Sequence, residues 1–421
     1  MDSIYIVVYI ILWAFVFVFY QKKRKYFDSG SFVLLEYLIL AVFSYFLYYD
    51  EYYGIAFRGL SLFPFLYLFI LMLVCTLPLM HYDGRQKTLT TPPMQLITII
   101  CVVFIASSLV SVQSTISNFQ RGLFLLMTTE EGGADLYRDA LDANVNMGHG
   151  GFSHIFSVII TALTCICAFF MFYLIKDLKK HKWLVIGLAF SYVLLVMQYI
   201  SIGTRGSIVE IILIMLSSYF IFKPYYTEKM VKAVNKVLLV LGILVMVPIV
   251  AISLSRFSNT NMGAGSSTVY YAGQSNLYFN KYALDDNGIR YGDRVMPLFK
   301  RMALIDNVPH NFWERRDKYP HLKINDEVFV TYAGDFLIDF GPLFGGVILV
   351  FFALMFLQIT RARGNIISFS SLIVLHLVIC NCTVGAVKLF PFSDVGGNLQ
   401  LIVYFLVYIA FRSKIRTKRI A

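Results

Sequence analysis

The hydrophobic positions along the chain form long unbroken runs separated by short polar segments. The runs Ile4 to Tyr20 and Ile155 to Ile175 are apolar on every face of a helix. A run of about 18 or more apolar residues is typical of a transmembrane helix, whereas the strands of a membrane barrel alternate apolar and polar residues over about 10 positions. The pattern therefore predicts an all-α polytopic membrane protein with about eleven transmembrane helices.

The predicted spans make the whole chain, residues 1 to 421, a single transmembrane domain. They cover residues 4 to 20, 31 to 49, 60 to 80, 95 to 112, 152 to 175, 183 to 202, 207 to 222, 237 to 254, 331 to 359, 365 to 387 and 397 to 411. Two long polar segments remain, 113 to 151 and 255 to 330. We expect both to be large external loops.

The placement of lysine and arginine predicts the orientation of these spans. With the N-terminus outside, the cytoplasmic segments hold 21 of the 36 Lys and Arg residues, the segment 255 to 330 holds 10, and all the other external segments together hold 5. Cytoplasmic loops carry an excess of positive charge, while long loops cross the membrane largely regardless of charge. The bias predicts an external N-terminus and a cytoplasmic C-terminus.

The composition agrees with this pattern and excludes several classes of protein. Only 14% of the residues are charged and 58% are hydrophobic, whereas about a quarter of a soluble protein is charged. The net charge of +11 is therefore a topology signal and does not indicate nucleic-acid binding. The six cysteines lie in apolar runs without partners at zinc spacing, so we interpret them as core residues and expect no metal. The sequence contains no Walker, Rossmann, zinc-protease or nucleophile-elbow motif.

Arg205 is a candidate binding residue because of its position. It lies in Gly203-Thr-Arg-Gly-Ser207, between two predicted spans with almost no loop between them. A guanidinium binds phosphate through two hydrogen bonds, and the free N–H groups at the start of the next helix would point at the same anion. We predict an anion-binding site at the external membrane edge. The alternative is an interfacial arginine whose charge reaches the lipid headgroups.

Carboxyl groups in or near the spans are further candidates, since such groups are costly there and usually functional. Asp335 and Asp339 are four residues apart at the start of the ninth span and share one helix face. Asp335 would act as a base and Asp339 would bind substrate, or both would stabilise the helix N-terminus. Glu36 and Glu210 lie within spans, where a neutral hydrogen-bonded carboxyl is the alternative to a functional one.

The second long segment supplies the remaining candidates. His310 has polar and cationic neighbours in the sequence, and a histidine suits a base that works near neutral pH. Arg256 and Arg294 would attract an anionic substrate, while Tyr270 and Tyr271 offer stacking faces for sugars. The alternative is a solvated loop with a few packed aromatic residues.

Four features together resemble the Wzy-type polymerases of bacterial O-antigen, capsule and exopolysaccharide repeat units. They are the multi-span architecture, the large late external loop, the Gly203-Thr-Arg-Gly-Ser207 element and the Gly334-Asp-x-x-x-Asp-Phe-Gly341 element. The resemblance implies a fold like that of the C-class glycosyltransferases, in the bacterial inner membrane with a periplasmic N-terminus and large periplasmic loops. It implies an undecaprenyl-pyrophosphate-linked glycan and membrane lipid as partners, with a chain-length regulator and a flippase, and no nucleic acid, cofactor or metal.

The resemblance also implies a reaction, in which a growing glycan is transferred from its lipid pyrophosphate to the non-reducing end of an incoming repeat unit. Arg205 would stabilise the departing pyrophosphate, and Asp335 or His310 would accept the proton of the attacking hydroxyl. Two alternatives stay open. One is a ligase that transfers a finished O-antigen-type glycan, and the other is a polysaccharide or lipid transporter without covalent chemistry.

Overall fold

The computed structural model describes residues 1–128, 135–136, 152–257, 264–324, 328–362 and 364–417. In these ranges the regular structure is almost entirely helical. The two strands found there, β1 (Thr88–Leu89) and β2 (Ile366–Ile367), form one short parallel pair. The predicted fold class, an all-α polytopic membrane protein, is confirmed.

The regular elements of the described ranges are sixteen α-helices, three short 3-10 helices and the two strands. The α-helices are α1 (Asp2–Arg24), α2 (Ser29–Tyr48), α3 (Leu62–His81), α4 (Met94–Val110), α5 (Val112–Thr128), α6 (Phe152–Ile175), α7 (Leu178–Ser201), α8 (Arg205–Phe222), α9 (Glu228–Phe257), α10 (Ala264–Tyr282), α11 (Pro297–Met302), α12 (Phe312–Lys318), α13 (Thr331–Phe340), α14 (Pro342–Thr360), α15 (Phe369–Val387) and α16 (Asp394–Thr417). The 3-10 helices are Gly54–Phe57, Gly84–Gln86 and Lys223–Tyr225.

Ten helices in the described ranges are long and apolar enough to cross a membrane, namely α1 to α3, α6 to α9 and α14 to α16. The pair α4 and α5, which bends by 55° at Ser111, becomes an eleventh span if it crosses as one unit. Every predicted span lies on helices of the structure. The count of ten or eleven therefore agrees with the eleven spans expected.

The ninth predicted span, 331 to 359, is broken into two helices. Helix α13 ends at Phe340 and α14 begins at Pro342, with Gly341 between them at a φ of 84°. Glycine adopts such an angle without steric cost, and proline is favoured in the first turn of a helix and cannot continue a preceding one. Only α14 is long enough to cross a membrane, and α13 is a ten-residue helix with nine buried residues.

Both segments expected to be loops contain helices. The segment 113 to 151 begins with most of α5, and its residues 129–134 and 137–151 lie outside the described residues. The segment 255 to 330 contains α10, α11 and α12. These two segments are therefore more regular than their polar composition predicts.

The chain divides into two compact units. The first consists of Met1–Thr91 with Val269–Ala421, and the second of Pro92–Thr268. Helix α15 forms the centre of the first unit, with 16 of its 19 residues buried. In the second unit, Ile200, Ile208 and Ile252 join α7, α8 and α9 in one buried cluster.

Candidate functional site

Arg205 lies in the second unit, where it is the first residue of α8. Only residues 202–204 separate α7 from α8. Gly203 takes a φ of 65° in this bend, an angle that residues with a side chain rarely adopt. The N–H groups of Gly203 and Thr204 donate to the carbonyls of Ile200 and Tyr199. The bend is thus closed by backbone hydrogen bonds and fixes where α8 begins.

The guanidinium of Arg205 is turned into the protein, and the residue is only 7% exposed. Its Nη1 donates to the Oγ of Ser253 at 2.6 Å and to the Oγ of Ser267 at 3.2 Å. The first turn of α8 adds the partial positive charge of a helix N-terminus. An arginine buried in this way differs from an interfacial arginine whose charge reaches the lipid headgroups. The side chain of Arg256, near the end of α9, lies outside the described residues.

Asp335 and Asp339 lie on one face of α13, as their spacing predicts, and both are fully buried. Arg290 bridges them, since its Nε donates to Asp339 Oδ1 at 2.6 Å and its Nη2 donates to Asp335 Oδ1 at 3.1 Å. Arg294 contributes a second guanidinium, with Nε 3.2 Å from Asp335 Oδ1. We call these four residues the ion-pair cluster, and all of them belong to the first unit.

Backbone N–H groups complete the bonding of both carboxylates. Asp339 Oδ2 accepts from the N–H groups of Arg294 at 3.1 Å and Val295 at 2.7 Å, and Asp335 Oδ2 accepts from Phe390 N–H at 2.8 Å. All four carboxylate oxygens therefore have at least one donor. Removal of one partner from such buried, hydrogen-bonded charges is strongly destabilising, because it leaves an uncompensated charge in the interior.

This bonding does not support the roles expected for the ion-pair cluster. A general base must reach the substrate hydroxyl, whereas Asp335 is fully buried and both its oxygens accept hydrogen bonds from protein groups. Asp339 and Arg294 are likewise bound to protein groups. The cluster instead fastens the segment 290–295 and residue 390 to α13. We assign it a structural role.

Asp293 lies between the two arginines in the sequence but has different partners. Its carboxylate accepts from Lys300 Nζ, from Lys318 Nζ at 2.7 Å and from Tyr319 Oη at 2.7 Å. Burial alone would raise the pKa of Asp293, and the two ammonium groups with the tyrosine hydroxyl outweigh that effect and hold the pKa below its usual range. Asp293 is therefore ionised and ties α11 and α12 to the cluster segment.

Asp286 has a buried oxygen for which the described part of the chain provides no hydrogen-bond partner. Its Oδ1 accepts from Ile324 N–H at 2.7 Å, while Oδ2 is the oxygen without a partner. Burial raises the pKa of Asp286 to about 7, although the Ile324 N–H and the nearby Arg290 both lower it. This aspartate therefore changes charge near neutral pH.

His310 contributes to the walls of two neighbouring cavities. One has a volume of about 730 Å³ and is lined by residues 301, 305–310, 314 and 318, and the other has about 310 Å³ and is lined by residues 297, 309–312, 315 and 394–396. The His310 side chain is exposed, and its backbone N–H donates to Glu314 Oε2 at 2.7 Å. Arg301 Nη2 donates to the carbonyl of Pro309 at 2.6 Å. The larger cavity thus combines cationic, carboxylate and imidazole groups in reach of solvent.

Tyr270 and Tyr271 on α10 pack against other aromatic residues. The Tyr270 ring lies 4.2 Å from that of Tyr53, and its Oη is 3.1 Å from Tyr278 Oη. Tyr271 makes an edge-to-face contact with Phe329 at 5.9 Å. These contacts agree with the alternative of a few packed aromatic residues.

Sequence reasoning did not identify the bridging role of Arg290 or the contacts of Asp286 and Asp293. One signal was available, the alternation of acidic and basic residues in Asp285-Asp-Asn-Gly-Ile-Arg-Tyr-Gly-Asp-Arg294. Buried carboxylates usually pair with basic residues, so the arginines of this stretch were the expected partners of Asp335 and Asp339. Which base bonds to which acid depends on the tertiary fold.

Comparison of the chain with protein-family models, with curated proteins and with solved structures finds no match.

Proposed function

We propose that this protein is a metal-independent membrane glycosyltransferase that polymerises undecaprenyl-pyrophosphate-linked repeat units into a surface polysaccharide, at the periplasmic face of a bacterial inner membrane. The observation that carries the proposal is the environment of Arg205. It is buried at the first residue of a transmembrane helix, and its guanidinium donates to two serine hydroxyls. Such a group suits a pyrophosphate, because departure of a lipid pyrophosphate builds negative charge that a fixed guanidinium and a helix N-terminus stabilise.

The polar cavities in the first unit support a saccharide as the second substrate. Arg301, His310, Glu314 and Lys318 supply donors and acceptors around a solvent-accessible volume of about 730 Å³. Sugars present many hydroxyls that such groups can bind. His310, whose side chain is exposed at the larger cavity, is the base of this proposal, whereas Asp335 is fully buried in its ion pairs with Arg290 and Arg294.

The test uses the source bacterium with the gene deleted and then restored as variants. We expect Arg205→Ala to abolish long glycan chains while single-repeat material persists, and Arg205→Lys to be almost as poor because an ammonium cannot grip a phosphate through a planar fork. Arg121→Ala is the matched control, since Arg121 is an exposed arginine of the same unit. Glycan gels and immunoblots for the membrane protein measure chain length at equal expression.

The outcomes separate the alternatives. Normal chain length in Arg205→Ala at normal expression would refute the proposal. Long chains that accumulate on the lipid carrier without transfer to their final acceptor would indicate a ligase. Lipid-linked repeat units retained on the cytoplasmic side would indicate a flippase.

Transport is a second candidate function, favoured by one observation at Glu36. Both carboxylate oxygens of Glu36 are buried and lack a hydrogen-bond partner within the described residues, and ionisable residues inside membrane helices often mark proton or substrate pathways. Under this alternative Glu36→Gln would stop movement of the lipid-linked glycan across the membrane. Unchanged chain length and unchanged lipid-linked glycan in Glu36→Gln would dismiss it.

A further inference from the structure

Lysine is in excess at one end of the second unit, where α6 passes into α7 and α8 passes into α9. The two connecting regions, 176–182 and 223–236, hold eight lysines. Their only carboxylates are those of Asp177 and Glu228, and both of these residues are exposed. Because α7 and α8 are both candidate membrane spans, the two regions lie on the same side of the membrane. We call them together the lysine surface.

Contacts between the helix ends hold the two halves of the lysine surface together. Tyr226 Oη donates to the carbonyl of Phe172 in the last turn of α6, and the rings of Tyr173 and Phe222 lie 5.8 Å apart. Six lysines of the surface are exposed, and their ammonium groups make no hydrogen bond or ion pair with the described residues. These six are Lys176, Lys179, Lys180, Lys229, Lys232 and Lys236. Since neighbouring like charges repel, an anion from outside the chain stabilises this surface.

Three of these lysines begin a stripe that continues along α9. Lys229, Lys232 and Lys236 are separated by three and four residues, so they share one helix face. The same spacing continues through exposed apolar side chains, namely Leu239, Ile243, Val247 and Val250. The stripe from 229 to 250 is therefore cationic at one end and apolar over the rest of its length.

The dimensions of the stripe match a phospholipid of one leaflet. From Leu239 to Val250 it extends about 17 Å at about 1.5 Å per residue, and half of the hydrocarbon core of a bilayer is about 15 Å thick. Trp183 on α7 is 74% exposed, and Lys182 Nζ lies 5.2 Å from the centre of its ring. Tryptophan is enriched at the level of the lipid headgroups. The lysines therefore lie among headgroups, and the apolar part of the stripe faces acyl chains.

The charge of the lysine surface selects the headgroup. Lysine binds phosphate as a point charge, and each lysine near an anionic lipid surface strengthens binding about fivefold. A zwitterionic headgroup brings a cation of its own next to the phosphate, and the lysines repel that cation. A second copy of this chain would bring the same positive charges to the interface. A headgroup with a net negative charge is thus the occupant that this surface favours.

We propose that the lysine surface and α9 bind one anionic phospholipid from the adjoining leaflet, with its phosphate among Lys229, Lys232 and Lys236 and an acyl chain along the stripe to Val250. Lysines that only direct membrane insertion would show no preference among headgroups. The site does not depend on the proposed glycosyltransferase activity. It is tested by binding alone, so failure of either proposal leaves the other in place.

The experiment uses the purified full-length protein in phosphatidylcholine vesicles that contain a trace of a photoreactive lipid. The probe is phosphatidylglycerol or phosphatidylcholine with the same diazirine in its acyl chain. Irradiation should label peptides that contain residues 239–250 at least about tenfold more with the phosphatidylglycerol probe, because three lysines act together while salt screens part of their effect. Salt at about 1 M should remove this preference, since the Debye length falls to about 3 Å.

Two results with the wild-type protein would overturn the proposal. One is equal labelling of α9 by the two probes at low salt. The other is protection of α9 from both probes, which would show that another protein chain covers this helix. Neither result depends on a variant that folds.

Variants show whether these three lysines supply the preference. The combined change Lys229→Gln, Lys232→Gln and Lys236→Gln should reduce the preference to within about twofold, whereas arginine at the same three positions should keep it because the charge remains. The matched control is Lys22→Gln, Lys23→Gln and Lys25→Gln, at three exposed lysines where α1 ends in the first unit. This control should label α9 as the wild type does. A retained preference in the first variant, or its loss in the control, would refute the site.

Discussion

Replacement of Arg290 by methionine tests the structural role of the ion-pair cluster. Arg290 is 2% exposed and bonds to both Asp335 and Asp339. Methionine retains much of the aliphatic volume but removes the charge. Within the described residues, Asp339 would then keep its two backbone N–H donors, while Asp335 would keep Arg294 and one backbone N–H. Removal of one partner from a buried ion pair costs about 3–5 kcal/mol, so we expect a loss of that size in the free energy of unfolding.

A double-mutant cycle separates this loss from a general packing effect. Asp339→Leu alone removes one of the two carboxylates to which Arg290 bonds and should also destabilise. The double variant, Arg290→Met with Asp339→Leu, removes the bonded pair together, so its cost should fall below the sum of the single costs by at least about 1 kcal/mol. Arg290→Lys should be intermediate because it keeps the charge without the planar fork. Arg316→Met, at an exposed arginine, should stay within about 0.5 kcal/mol of the wild type.

The assay is reversible unfolding in mixed micelles, monitored by fluorescence. The free energy of unfolding is measured as a linear function of the denaturing detergent and compared among the variants. A free energy of unfolding for Arg290→Met within about 0.5 kcal/mol of the wild-type value, the range of a surface change, would refute the structural role. It is also refuted if the single costs add in the double variant. In either case the carboxylates would not depend on Arg290, and a catalytic role for Asp335 would have to be considered again.

Two further predictions follow from single positions. Burial raises the folded-state pKa of Asp286 from 3.8 to about 7, so its contribution to stability is fully present below pH 3.8 and is lost as the pH rises through 7. In thermal unfolding between pH 5 and 8, Asp286→Asn should flatten this loss of stability and be more stable than the wild type by roughly 1–2 kcal/mol at pH 8, after allowance for solvent screening. An unchanged dependence of stability on pH would contradict this prediction. A Cβ on Gly345 would lie 2.4 Å from the carbonyl oxygen of Phe336, so Gly345→Ala should cost about 1–3 kcal/mol by forcing α13 and α14 apart. Gly242→Ala, which meets nothing within 4 Å, should be neutral or stabilising by up to about 1 kcal/mol, and equal effects of the two changes would contradict the close contact.

The fold was predictable because the membrane imposes a simple rule on the sequence. A chain segment in hydrocarbon must satisfy its own backbone, so length and hydropathy suffice to locate helices such as α6 and α15. The break at Gly341 was also present in the sequence as Gly-Pro followed by a further apolar run. Hydropathy averaged over the window 331 to 359 concealed it, because α13 is nearly as apolar as a true span although it is only ten residues long.

The site was less predictable because its bonds join distant parts of the chain. The four-residue spacing of Asp335 and Asp339 correctly placed them on one helix face. Their partner Arg290 lies 45 and 49 residues away. At that separation the sequence alone does not show which residues will contact one another. A pair of buried carboxylates is compatible with catalysis or with a structural brace, and only the identity of the donors distinguishes the two.

The charge of its bonded partners also affects whether an arginine can bind a ligand. An anion at Arg290 or Arg294 would lie beside a buried carboxylate, and any carboxylate that it displaced would be left without compensation. Arg205 donates instead to the hydroxyls of Ser253 and Ser267. A serine hydroxyl is neutral, so moving it away from the guanidinium leaves no uncompensated charge. The hydroxyl can also rotate and donate a hydrogen bond to an arriving phosphate oxygen. The two serine partners of Arg205 therefore differ from the carboxylate partners of Arg290 and Arg294, because an anion that displaced them would leave no uncompensated carboxylate behind.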